Sequence, residues 1–153
     1  MPKKSIKEII AVLIRVLKAH NAPHEIALGV AIGSFIAILP LYGFHTVLCV
    51  IAAILIPRAN KLAILLGTNI SLPPTVVTIT WTAYDIGRLL LVNKHYPPLS
   101  WEYLRNFKIS MVKEFYYPLF IGSVLLGLLC AGVFYLITLA IANHFKKKRA
   151  LGK

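Results

Sequence analysis

The chain has 153 residues, 58% of them hydrophobic and 14% charged, with a mean hydropathy of +0.76. That much apolar side chain exceeds what the core of one soluble domain of this length buries, so membrane residence is expected. Seventeen Lys and Arg face five Asp and Glu, but the cations gather at the ends of apolar segments, which argues against nucleic acid as a partner and for a cytoplasmic flank beside anionic lipid headgroups.

The expected architecture is all-α: a small polytopic integral membrane protein with Pro/Gly-broken or re-entrant helical hairpins and one long C-terminal transmembrane helix. It divides into an amphipathic interfacial helix (1–22), a membrane domain with two interrupted helical elements (23–92), an interfacial loop or helix (93–115), a transmembrane helix (116–144) and a basic cytoplasmic tail (145–153). In the first region Ile6, Ile9, Ile10, Val12, Leu13, Val16 and Leu17 repeat at three and four, with Lys7, Glu8, Arg15 and Lys18 opposite. Such a helix lies in the headgroup plane. The charges within the apolar part point to a retained segment rather than a cleaved signal.

"NAPHE" restarts the chain: Asn21 or Ala22 caps a helix, Pro23 fits its first turn and Glu25 suits its positive end. Within Ile26–Leu39, Gly29 and Gly33 form a GxxxG motif, a packing signal for helices in lipid. "PLYG" then breaks the helix through Pro40 and Gly43, and Phe44–Ile56 follows. Neither arm reaches the roughly 20 residues that a bilayer requires. The pair is either a re-entrant hairpin or one helix kinked at Pro40, and Gly43 favours the turn.

"PRANK" returns the chain to a polar surface, and a second interrupted element follows: Leu62–Gly67, the stretch "GTNISLPPTVV", and a helix over Thr75–Val92. Pro73 and Pro74 lack amide donors and force a break. Non-helical backbone at membrane depth needs protein or a water-filled cavity around it. Asn69 and Ser71 are therefore candidate ligand-binding residues, with His45 at the tip of the first hairpin and Arg88 as a positive charge. The alternatives are that neighbouring hydroxyls and backbone satisfy the break, that His45 holds its own turn, and that Asp85 and Arg88, three apart, form a structural ion pair.

No nucleophile elbow, phosphate loop or paired-carboxylate motif is present, so no enzyme activity and no cofactor are expected. His20, His24 and Glu25 make a poor metal set because Pro23 interrupts their helical spacing. Cys49 and Cys130 lie in apolar runs and read as small hydrophobes. Trp101, Tyr103 and Phe107 suit the membrane interface, and Pro118–Asn143 is long enough to span. The basic N-terminus and the KKKR tail both belong in the cytoplasm, which requires an even number of crossings.

"ALGVAIGSFIAILPLYGFHTVL", "RANKLAILLGTNISLPPT" and "YDIG" resemble the small bacterial membrane domain of unknown function 2062 over Glu25–Leu91. The resemblance maps its pattern onto Gly29, Gly33, Pro40, Gly43, His45, Thr46, Asn60, Gly67, Ser71, Pro73 and Gly87. Leu72 departs from it, standing where the family usually shows Asn, so Asn69 must supply the amide if that group is the working one. The resemblance implies a bacterial inner-membrane protein, with relatives sometimes joined to glycosyltransferase-like domains, and no established activity. Two functions are consistent with these features. One is movement of an ion, anionic solute or lipid-linked intermediate past the broken helices. The other is an accessory or scaffold subunit for envelope biosynthesis that binds a partner through the Gly29/Gly33 face. A chain this small is expected to form a homo-oligomer or to bind a membrane partner protein.

Overall fold

The computed structural model describes residues 22–41, 43–68, 73–91 and 112–151, and at 73–74, 112–114 and 149–151 the backbone alone. Among these residues the chain is helical, with no strand: α1 (Pro23–Ile38), α2 (His45–Leu55), α3 (Lys61–Gly67), α4 (Pro73–Leu90) and α5 (Val112–Leu151). The segments 1–21, 69–72 and 92–111 lie outside the described residues. With them lie most of the expected interfacial regions.

Proline sets most of the boundaries. Ala22 caps α1, Pro23 opens it, and the Glu25 carboxylate accepts the Ala22 N–H at 3.3 Å. At the other end Leu39 is extended (φ −64°, ψ 138°), the geometry that Pro40 imposes on the residue before it. α2 likewise stops just before a proline, Pro57, though Ile56 leaves the helix with a different backbone (φ −120°, ψ 75°), and the turn is closed by the Ala59 N–H on the Ile56 carbonyl at 3.0 Å. Asn60 then caps α3, its Oδ1 accepting the Ala63 N–H at 2.9 Å.

α4 begins at Pro73, earlier than the Thr75 expected from sequence. Two prolines are tolerated there because the first amides of a helix have no partner within it. Residues 73–77 of the expected 67–77 break are accordingly helical. α5 extends past both ends of the expected 116–144 and carries Pro118 within its second turn.

Two seams of small residues hold the helices together. In the first, Gly29 and Gly33 of α1 face Ala63 and Gly67 of α3. A Cβ added at Gly29 would lie 2.6 Å from the Asn60 carbonyl oxygen and 2.7 Å from the Ala63 Cβ. One added at Gly67 would lie 2.5 Å from the Val30 carbonyl oxygen. In the second, Ala83 and Gly87 of α4 face Pro118 and Gly122 of α5, with the backbones again in contact. Each of the four partners is a pair of small residues, or of proline and glycine, four apart. That spacing lets helix backbones touch.

The order of contacts fixes the directions. His24, Phe35 and Pro40 meet Tyr135, Gly127 and Tyr116 in turn, so α1 and α5 are antiparallel. α3 runs parallel to α1, and α4 antiparallel to α5. α1 and α2 fold back as a hairpin, and Asn60, which follows it, donates its N–H to the Glu25 carbonyl at 3.0 Å.

Bulk is distributed opposite to a soluble core. Ala27, Ala63 and Ala83 are fully buried, while Ile54 is 71% and Leu55 73% exposed. One helix among the described residues, Phe115–Lys148, is long and apolar enough to cross a membrane, and little of it is covered by the rest of the chain.

The seams predict unequal costs for one methyl group. Gly33→Ala drives a Cβ into the Ile64 carbonyl and should destabilise by about 2 kcal/mol or more. Gly132→Ala meets open space and should stay within about 0.5 kcal/mol of the parent. Thermal unfolding in detergent, read by circular dichroism, checks both.

Candidate functional site at the helix breaks

The end of α3 has a definite level along the bundle. Gly67 packs against Val30, Gly33 and Ser34, and the next residue of α1, Phe35, packs against Gly127 of α5. The end of α3 is therefore about level with Gly127 of the Phe115–Lys148 helix, with α1 between them. Thr68 closes that end: its N–H reaches the carbonyls of Ile64 and Leu66, and its hydroxyl donates to the Leu65 carbonyl at 2.8 Å. The helix resumes at Pro73 and Pro74, which present carbonyls but no amides. Asn69 and Ser71 fall in 69–72, outside the described residues.

The other proposed ligand residues are placed elsewhere. His45 opens α2, and its Nε2 lies 3.1 Å from the Leu39 carbonyl oxygen across the Pro40–Gly43 turn. An imidazole in this position ties the end of α1 to the start of α2. Tyr116 of α5 donates to the Pro40 carbonyl at 3.2 Å, fastening the same turn to the long helix.

Arg88 pairs with Asp85 at 3.6 Å, and both side chains are about one-third exposed (31% and 38%). Fifteen residues separate Arg88 from Pro73, roughly 22 Å of helix. Arg88 accordingly stands near the Pro118 end of α5 and not beside the break. The end of α3 is thus apart from the His45 turn and the ion pair, both of which lie toward the Tyr116–Pro118 end of α5.

The Gly29/Gly33 face is occupied by α3 of the same chain, so it offers no free surface to a partner. His24 is engaged as well, with its Nδ1 2.6 Å from the Tyr135 hydroxyl. Among the described residues no group of His, Cys, Asp and Glu is arranged to hold a metal. Cys49 is buried and Cys130 half-buried, and both are free thiols.

Three features escaped the sequence reading. The partner motifs Ala63/Gly67, Ala83/Gly87 and Pro118/Gly122 carry the same small-residue spacing as Gly29/Gly33, and that spacing was the signal available. The cap at Asn60 was legible in the Asn that precedes "KLAILLG". The Tyr116 contact with the first turn has no local signature, because it joins residues 76 positions apart.

Gly43 is the described residue with positive φ (+91°), and a Cβ there would touch nothing. Its requirement is conformational, not steric. Gly43→Ala should lower stability by about 1–2 kcal/mol and Gly43→Asn by less, since Asn tolerates left-handed geometry. Chemical unfolding of the pair in detergent checks the ranking.

Residues 7–150 match the family described as "Uncharacterized protein conserved in bacteria (DUF2062)", a wider stretch than the motifs over Glu25–Leu91 cover. No curated protein and no solved structure matches the chain. The proline-bounded arms, the His45 turn and the seam through Gly87 thus sit in a chain that belongs to this conserved bacterial family.

Proposed function

We propose that the protein is a multi-pass component of the bacterial inner membrane that moves an ion or small polar solute past the break between α3 and α4. The observation that supports the proposal is where α3 ends: Gly67 packs on α1 at about the level of Gly127 in the helix long enough to span, which in a membrane would lie well inside the bilayer. Backbone released from helical hydrogen bonding at such a depth needs a polar surrounding. Interrupted helices at the bilayer midplane are the usual place for a transported solute.

The helix directions support a consistent topology. α1 and α2 enter and return on one side, α3 and α4 together make one crossing, and α5 makes the second. Both termini then lie in the cytoplasm, as the basic tail requires. Thr68, at the end of α3, stands at the start of the proposed path, and Asn69 and Ser71 are its candidate ligand residues. His45 and Arg88 shape its surroundings from the Pro118 end instead of touching the solute.

The test uses the full chain with Cys49 and Cys130 replaced by Ala, reconstituted in liposomes. Thr68→Cys should react with a membrane-impermeant charged thiol reagent, while Leu128→Cys on the outer face of α5 should not. Wild-type vesicles should pass at least one of sodium, potassium, chloride or phosphate, and Asn69→Ala should abolish that flux with unchanged melting. An unreactive Thr68→Cys together with no flux for any of these solutes would refute a conducting break.

A further inference from the structure

At the opposite pole from the His45 turn, the Pro57–Asn60 turn and the start of α1 enclose an open cleft of about 300 Å³, lined by Glu25, Arg58, Asn60, Lys61 and Leu62 among others. That volume is at the lower end of the range for small-ligand sites, roughly 300–1,000 Å³. We propose that this cleft binds the phosphate of an anionic lipid headgroup, with Arg58 and Lys61 as its cations. The site requires a bundle that lies in a membrane, and it is independent of any solute moving past the α3–α4 break.

Three observations converge on the cleft. Arg58 and Lys61 are both exposed, and among the described residues neither makes an ion pair. The polar groups beside them are already committed to the fold. The Glu25 carboxylate accepts the Ala22 N–H, the Asn60 Oδ1 accepts the Ala63 N–H, and the Asn60 N–H donates to the Glu25 carbonyl. The floor is therefore held in place while the two cations remain available. Two positive side chains against one carboxylate leave the lining net positive.

The surroundings select the source of the phosphate. Ile54 and Leu55 precede the turn, Leu62 and Leu65 follow it, and all four side chains are more than half exposed. A phosphate held by Arg58 and Lys61 would carry its acyl chains against these residues, which free phosphate would leave uncovered. Basic pockets beside membrane helices recognise anionic headgroups by this combination of charge and apolar flank. Arginine adds a planar fork that matches two phosphate oxygens.

Native mass spectrometry of the full chain, released from detergent with mixed phosphatidylglycerol and phosphatidylcholine, tests the site. The wild type should retain phosphatidylglycerol preferentially. Arg58→Ala/Lys61→Ala should lower that preference at least about ten-fold. Because both side chains are exposed, the variant should keep the wild-type melting temperature.

Lys147→Ala/Lys148→Ala, in the basic tail, should keep most of the preference, and inorganic phosphate at millimolar concentration should not displace the lipid. The proposal is overturned if Arg58→Ala/Lys61→Ala binds phosphatidylglycerol as the wild type does. It is equally overturned if the tail variant loses the preference instead, or if free phosphate competes on equal terms.

Discussion

Contact between helix backbones at two small-residue seams is the constraint on which the rest of the structure depends. At the α1–α3 seam, glycines meet the carbonyls of Val30, Asn60 and Ile64, and at the α4–α5 seam they meet those of Ala83 and Pro118. Helices that close have no room for large side chains between them. Most of the exposed large residues accordingly stand on α2 and the outer face of α5, while Ile26, Ile64 and Tyr84 are the large side chains that remain buried. In water this arrangement would forgo the main driving force for folding. In a bilayer, where lipid tails are as apolar as leucine, close packing of small residues is how helices associate.

The seams also explain how arms too short to span a bilayer are held against the long helix. α1 has 16 residues and α2 has 11, so neither matches a hydrocarbon core of about 30 Å. α1 is nevertheless apolar on every side, as expected of a helix surrounded by others. It lies against α3 on its glycine face and against α5 through His24, Phe35 and the turn at Pro40. Its two ends are secured separately, by Asn60 bonding to Glu25 at one pole and by Tyr116 bonding to Pro40 at the other. Between these poles α3 stops after seven residues, its last one, Gly67, packed against Val30, Gly33 and Ser34 of α1.

Much of this was legible in the sequence, because proline and glycine act locally. Pro23 with Glu25, Pro40 with Gly43, and Pro57 with Asn60 mark boundaries that follow from a missing amide or a left-handed backbone. Proline misled in one place, because it is excluded from helix interiors but tolerated near the start: Pro73 and Pro74 open α4 and do not stand before it. The partners of Gly29 and Gly33 were not assigned, since small-residue spacing announces a contact without naming the other helix. The Asp85–Arg88 pair could be read from spacing alone. The distance from Arg88 to the break needed the length and direction of α4.

The central claim, which we propose, is that the large apolar side chains left outside the small-residue seams face hydrocarbon. The most direct measurement is electron paramagnetic resonance of nitroxides placed singly at Ile54 and Leu136 in reconstituted bilayers, comparing collisions with oxygen and with a water-soluble nickel chelate. The account predicts that oxygen dominates at both positions, as it does for side chains in lipid. Greater accessibility to the nickel chelate at either position would place that surface in water and contradict it.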